Sequence, residues 1–251
     1  MSTDQDAISG RLTKDRFGAS MPVDAPYYQS PPFYYRDARS LTIAYETDAD
    51  AAADLLPEGV DLPRPAQALL MILDYPSSTF GPYHEAVLGI QCSWEGVGHS
   101  YIAHIVVDTA PPLVGGREIW GFPKKIADID LRQENEFVCG SVERPRGMRL
   151  VTATMRPEQP MDMSLDPGGG LLALRVIPSP EADQPPSLAQ LIQVPMADRL
   201  THEAWTGPAT LSYDAQSALD PWHGLPVRQV LGSVYTRFDF TLPHGRVLRS
   251  Y

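Results

Sequence analysis

The chain of 251 residues is poor in cysteine, with only Cys92 and Cys139. Neither has metal-like spacing or an adjacent activating base, which argues against a disulfide-built scaffold, a zinc module and a thiol nucleophile. Two thiols in a reducing compartment are the expectation, with a single Cys92–Cys139 disulfide as the alternative. Cationic excess is lacking as well. Lys and Arg number 20 against 31 Asp and Glu, a formal charge of -11, the reverse of what contact with a phosphate backbone requires, so no nucleic-acid partner is expected. The opening "MSTDQDAISGRLTKDRF" holds no uninterrupted apolar segment of signal or membrane-spanning type. A cytoplasmic protein without a membrane role is therefore expected. Regular βαβ spacing and internal repeats are also missing, which disfavours a doubly wound fold and a solenoid.

What is present is a succession of short apolar runs divided by turn residues, among them 25 prolines and 19 glycines. "SLTIAYE", "AQALLMILDY", "HEAVLGIQCSW", "HSYIAHIVVD", "FVCGSVE", "MRLVTATM", "LLALRVI" and "VRQVLGSVYTRFDFTL" read as strands. "TDADAAADLLPEG" reads as a short helix capped by Thr47 or Asp48 and ended by Pro57 and Gly59. The fold class is α+β, predominantly antiparallel β, as a curved sheet or incomplete barrel. Residues 1–36, with "VDAPYYQSPPFYYRD", form an N-terminal arm that packs on the core, residues 1–12 being the part most prone to disorder; 37–251 form one domain. The glycine run in "DMSLDPGGGLLALRV" has neither the spacing nor the strand-to-helix setting of a nucleotide loop, and reads as a plain loop.

One stretch departs from this pattern. "GGREIWGFPKKIADIDL", Gly115 to Leu131, sets Lys124 and Lys125 side by side inside apolar sequence. A lysine amine is protonated near neutral pH and attacks carbonyls only when desolvation or a neighbouring ammonium disfavours its charge. A solvated pair is the plain alternative. Arg117 and Glu118 suit an ion pair that positions the loop. Trp120 and Phe122 suit a low-polarity wall, and Pro123 holds Phe122 away from helical geometry.

This segment resembles the active-site segment of the acetoacetate decarboxylase family. "LTIAYETDADAAADLLPEG", "YHEAV", "THEAWTGPATLSYD", "PWHGLPVRQVLGS" and "FTLPHGRVLRSY" carry the resemblance through most of residues 37–251. It implies a cone-like β-barrel, a homo-oligomer and a Schiff-base enzyme that needs neither metal nor cofactor. Lys124 takes the position of the amine that forms the imine, Lys125 that of the neighbour lowering its pKa, and Glu85 that of an active-site glutamate. Arg39 stands one place beyond the family's pocket arginine, whose matching position is Ala38. A second family glutamate is matched by Leu70, an apolar core-type residue.

The implied activity is decarboxylation of acetoacetate or a related β-keto acid. Catalytic candidates are Lys124, Lys125 and Glu85; substrate-binding candidates are Arg39, Arg117, Trp120 and Phe122. Ala38 and Leu70 keep a second chemistry open, an aldol condensation and dehydration using pyruvate or a related keto acid and an aldehyde. A non-catalytic scaffold is the third reading. His84, His99 and His104 match no metal motif. His202, Glu203 and Trp205 are expected to build the barrel or a subunit contact.

Overall fold

The computed structural model describes residues 8–21, 23–162 and 169–251. Residues 1–7 of the stretch expected to be disordered, and 163–168 of the glycine-rich stretch, lie outside the described residues. In chain order the strands are β1 Phe33–Glu46, β2 Gln67–Tyr75, β3 Ser77–Ser78, β4 Tyr83–Trp94, β5 Val97–Val107, β6 Lys124–Ile126, β7 Asp128–Glu134 and β8 Phe137–Glu143. They continue as β9 Arg149–Met155, β10 Gln159–Pro160, β11 Leu171–Ile177, β12 Leu188–Val194, β13 Ala197–Thr206, β14 Ala209–Tyr213, β15 Gln229–Leu242 and β16 Arg246–Ser250. Helix is confined to short pieces, chiefly α1 Ala49–Ala53 and α2 Ala110–Gly115.

The large sheet has 12 strands and runs open from β10 through β13, β15, β1, β2, β4, β5, β11 and β12 to β16, with β3 on β1 and β6 on β5. Its pairings are antiparallel except for β6 and β11, which both lie parallel to β5. A second sheet, β14-β9-β8-β7, packs on one face. This is the expected α+β, antiparallel-dominated architecture, an incomplete barrel. Strand β1 begins at Phe33, inside the stretch read as arm.

Local chemistry explains the joints. The Asp48 side chain accepts from the backbone N–H of Asp50 and Ala51 at 3.0 and 2.9 Å, capping α1 as expected of an Asp at that place. In β1 the residues before the register shift between Tyr35 and Ala38 expose Tyr34 and Arg36 and bury Phe33 and Tyr35. The shift is a β-bulge at which Asp37 takes φ 55°, so Tyr35 and Ala38, three residues apart, face the same way.

Two apolar clusters result, one on each face of the sheet. One, containing Leu41, Ile43, Leu70, Ile72, Leu88 and Val106, is sandwiched against Val138, Val142, Val151 and Ala153 of the second sheet. The other holds Phe33, Tyr35, Leu73, Tyr75, Tyr83, Trp120, Phe122 and Phe240. Full burial of each such ring contributes roughly 1.5–3 kcal/mol. Leu70 is buried in the first cluster, as its apolar run implies.

Candidate active site

Strand register decides which side chains meet. Across β1, β2, β4, β5 and β6, Thr42, Met71, Val87, Ile105 and Lys124 form one row. The next row on that face is Ser40, Leu73, Glu85 and Val107. Lys124 and Glu85 thus share a face, since alternate residues of a strand point the same way. Lys124 Nζ donates to Glu85 Oε2 at 2.6 Å, and the residues are 6% and 7% exposed. A lysine and a carboxylate so buried are costly to desolvate and are held by their mutual contact.

Glu85 has a second partner: the Tyr75 hydroxyl donates to Oε1 at 3.2 Å. Tyr35 and Tyr83 hydroxyls lie 3.1 Å apart, and the Tyr75 ring packs 4.8 Å from each of the other two rings. Burial, with the nearby Glu85 charge adding, pushes the pKa of all three phenols up, so they stay protonated. Lys124 Nζ sits 5.8 Å from the Tyr83 ring centroid and 5.9 Å from that of Phe122.

The segment before Lys124 is shaped to admit its side chain. After α2 the chain makes a wide π-helical turn, Gly116–Trp120, closed by Gly121 at φ 78°. A Cβ on Gly116 would lie 2.7 Å from Cδ and Cε of Lys124, so any larger residue there would have to displace the lysine stem from its present course. Trp120 and Phe122 are buried, the Trp120 indole donating to Pro243 O at 3.2 Å. Arg117 and Glu118 take different partners instead of each other. Arg117 Nη1 donates to the Lys124 carbonyl at 3.2 Å, and Glu118 accepts from the Tyr28 hydroxyl at 2.6 Å, which ties the N-terminal arm to the turn.

Lys125 faces away. Its row is Leu41, Ile72, Ala86 and Val106, on the side of the first cluster. There Nζ donates to Asp220 Oδ1 at 2.8 Å and to the Leu219 carbonyl. Asp220, buried, also accepts from Arg144 Nε at 3.0 Å. His104 lies on the same face, 5.9 Å from the Trp222 ring, its pKa lowered to about 4 by burial first and the Lys125 charge second. Leu70, opposite Leu88 and thence His104, belongs to this side too. The position matched to a family glutamate is therefore on the face opposite Lys124 and Glu85.

Arg39 does not join Lys124 and Glu85. It pairs in register with Asp74, itself opposite His84, and its guanidinium reaches Asp37 at 3.3 Å and Asp74 at 3.4 Å. The bulge turns Ala38, not Arg39, toward the Glu85 face. His84 lies between Asp108 at 2.8 Å and Asp74 at 3.6 Å, and the hydrogen bond to Asp108 raises its pKa. His202 lies 3.1 Å from Asp239 of β15, a contact that ties β13 into the sheet, and Glu203 accepts from Trp205 at 2.7 Å within β13. Among the described residues, no group of three or more His, Cys, Asp or Glu is arranged for a metal, and no helix is long and apolar enough to cross a membrane.

Sequence reasoning missed Tyr35, Tyr75, Asp220 and Gly116. Tyr83 was within reach, because it stands two residues before Glu85 on one strand. Tyr75 faces Tyr83 across the β2–β4 pairing, which no short motif encodes.

A buried lysine amine held against a buried glutamate on an open antiparallel sheet is an arrangement suited to an enzyme that uses an amine nucleophile. The comparisons agree. The family model described as acetoacetate decarboxylase (ADC) matches residues 20–251. Acetoacetate decarboxylase 1 of Mesorhizobium japonicum is 32% identical over 251 residues, covering 98% of each chain. Acetoacetate decarboxylase of Burkholderia cenocepacia is 31% identical, covering 92% of this chain and 94% of its own. The crystal structure of acetoacetate decarboxylase from Legionella pneumophila superposes with a TM-score of 0.85 at 27% identity, covering 97% of this chain and 99% of that one. An enduracididine biosynthesis enzyme complexed with pyruvate shares the fold, with a TM-score of 0.76 at 20% identity, over 97% of this chain and 100% of that one.

The chain belongs to the acetoacetate decarboxylase family. It is an enzyme, a carbon–carbon lyase acting on small keto acids by Schiff-base chemistry.

Proposed function

We propose that this enzyme decarboxylates acetoacetate or a related β-keto acid through an imine on Lys124. The observation that carries this reading is the buried contact of 2.6 Å between Lys124 Nζ and Glu85 Oε2. The amine must shed a proton before it attacks a ketone, and Glu85 is the adjacent acceptor. Attack at the carbonyl carbon followed by loss of its oxygen as water gives the protonated imine. The electron pair of the bond to the carboxyl carbon then flows into that imine as carbon dioxide leaves. Protonation of the resulting enamine carbon and hydrolysis release the ketone and restore Lys124.

Trp120 and Phe122 supply a low-polarity wall, and Arg117 acts on the backbone of Lys124 instead of on substrate. Lys125 anchors β6 through Asp220, on the face opposite Lys124. Arg39, held by two aspartates on the other face, drops out of the substrate-binding role.

Aldol condensation and dehydration with a pyruvate-like donor and an aldehyde is the second reading, favoured by Ala38 and Leu70 at the family's arginine and glutamate positions. In this reading one catalytic domain begins with β1 at Phe33, the described residues before it forming its arm, in a cytoplasmic homo-oligomer. Free thiols at Cys92 and Cys139 support the location.

Borohydride reduction in the presence of acetoacetate or pyruvate, with peptide mapping, tests the shared step. A ketone-dependent adduct at Lys124 is expected, and a folded protein that yields none contradicts both readings. Acetone with carbon dioxide from acetoacetate supports the first; an aldehyde-dependent unsaturated product from pyruvate supports the second.

A further inference from the structure

The phenols around Glu85 have more hydrogens than they use. Tyr75 donates its one hydrogen to Glu85 Oε1. Tyr35 and Tyr83 are joined by a single hydrogen bond of 3.1 Å, so one of the two hydroxyls keeps an unused hydrogen. Among the described residues neither hydroxyl has another partner, and the residues are 1% and 3% exposed. A buried donor left unmade is costly and calls for an acceptor. The Tyr83 ring stands close to the reacting amine, Lys124 Nζ lying 5.8 Å from its centroid. Ala38, on the same face just past the bulge, brings no guanidinium to this wall.

We infer that Tyr83, oriented by Tyr35, is the donor that binds the carboxylate of the keto-acid substrate, a neutral hydrogen bond serving where the family resemblance expects an arginine. The inference rests on the imine reading of Lys124. Tyr35 donates to the Tyr83 oxygen, and the Tyr83 hydrogen goes to the substrate. Burial keeps both phenols protonated, hence donors, through the neutral range. A carboxylate held by one neutral donor is oriented without the ground-state stabilisation of an ion pair, so its charge is more readily surrendered as the carbon–carbon bond breaks.

The test compares imine trapping in the full chain with acetoacetate, with its uncharged methyl ester and with acetone. Tyr83→Phe should raise the half-saturating acetoacetate concentration about 10- to 100-fold, the span of a lost hydrogen bond to a charged group. The same variant should change half-saturation by acetone less than about threefold, because acetone has no carboxylate. Tyr35→Phe should show a smaller loss confined to acetoacetate. Equal weakening toward acetone and acetoacetate, or unchanged acetoacetate saturation in Tyr83→Phe, overturns the inference. If Tyr83→Phe does not fold, Tyr35→Phe decides by whether the parent's preference for acetoacetate over its methyl ester is reduced. Absence of any Lys124 adduct in the parent is a different result, and it removes the imine reading itself.

Discussion

Lys125 Nζ lies 2.8 Å from Asp220 on the side of β6 opposite Lys124. The two ammonium groups of the double lysine are thereby separated by the strand that carries them, and one of them has its own counter-ion. Lys125→Met is expected to leave the acid limb of the pH–rate profile where it stands in the parent. It should cost about 1 kcal/mol of stability, a modest figure because this lysine is 38% exposed. A displaced limb would restore the direct electrostatic role read from the sequence.

Glu85 is expected to matter more than any residue but Lys124. Glu85→Gln removes the proton acceptor and should lower kcat by about 10²–10⁴-fold. Tyr75→Phe deletes one hydrogen bond to the same carboxylate, for a loss of about tenfold in kcat. Steady-state rates at neutral pH check both, and an unchanged kcat in Tyr75→Phe would detach Tyr75 from the chemistry.

Gly116→Ala places a methyl group where Lys124 Cδ and Cε now lie, at 2.7 Å. The lysine stem is expected to be displaced from Glu85, lowering the borohydride-trapping rate at least about tenfold with the fold retained, since small misplacement of a reacting group is costly. Parental trapping with a correctly folded variant would show that the turn gives way instead.

His104 makes stability fall in acid. Its folded pKa is depressed from 6.5 to about 4, so below pH 6.5 the unfolded chain takes up a proton that the folded chain refuses. The contribution is full above pH 6.5 and is lost progressively down to about pH 4. At pH 5 the loss amounts to about 1–2 kcal/mol, and His104→Phe should abolish that component while keeping a ring against Trp222. Urea midpoints at pH 7 and pH 5 measure it. His84 has the opposite sign: its raised pKa gives stability below pH 6.5 that fades as pH climbs through the folded value.

Sequence reached the strands and the α1 cap because period-two burial and turn residues are local signals. It reached Lys124 and Glu85 through a family resemblance carried by motifs spread along the chain. It could not reach the facing of Ala38 and Arg39, which is set by the unmarked bulge at Asp37. Nor could it pair Arg117 and Glu118 with their partners, because Tyr28 lies 90 residues from Glu118. Asp220 was invisible for the same reason, being 95 residues from the lysine it neutralises.

The short strand β6 makes the order of the two lysines a matter of counting. Its residues are read against β5 in single steps, so deleting one residue between Gly121 and Lys124 would bring Lys125 to Glu85 and Ile126 to Asp220, and adding one would bring Lys124 to Asp220. With identical side chains at both places, the deletion still delivers a lysine to Glu85, whereas the addition leaves Glu85 facing a residue that precedes the pair. The doubled residue therefore gives this segment tolerance, in one direction only, to an alignment error that would ordinarily empty the site.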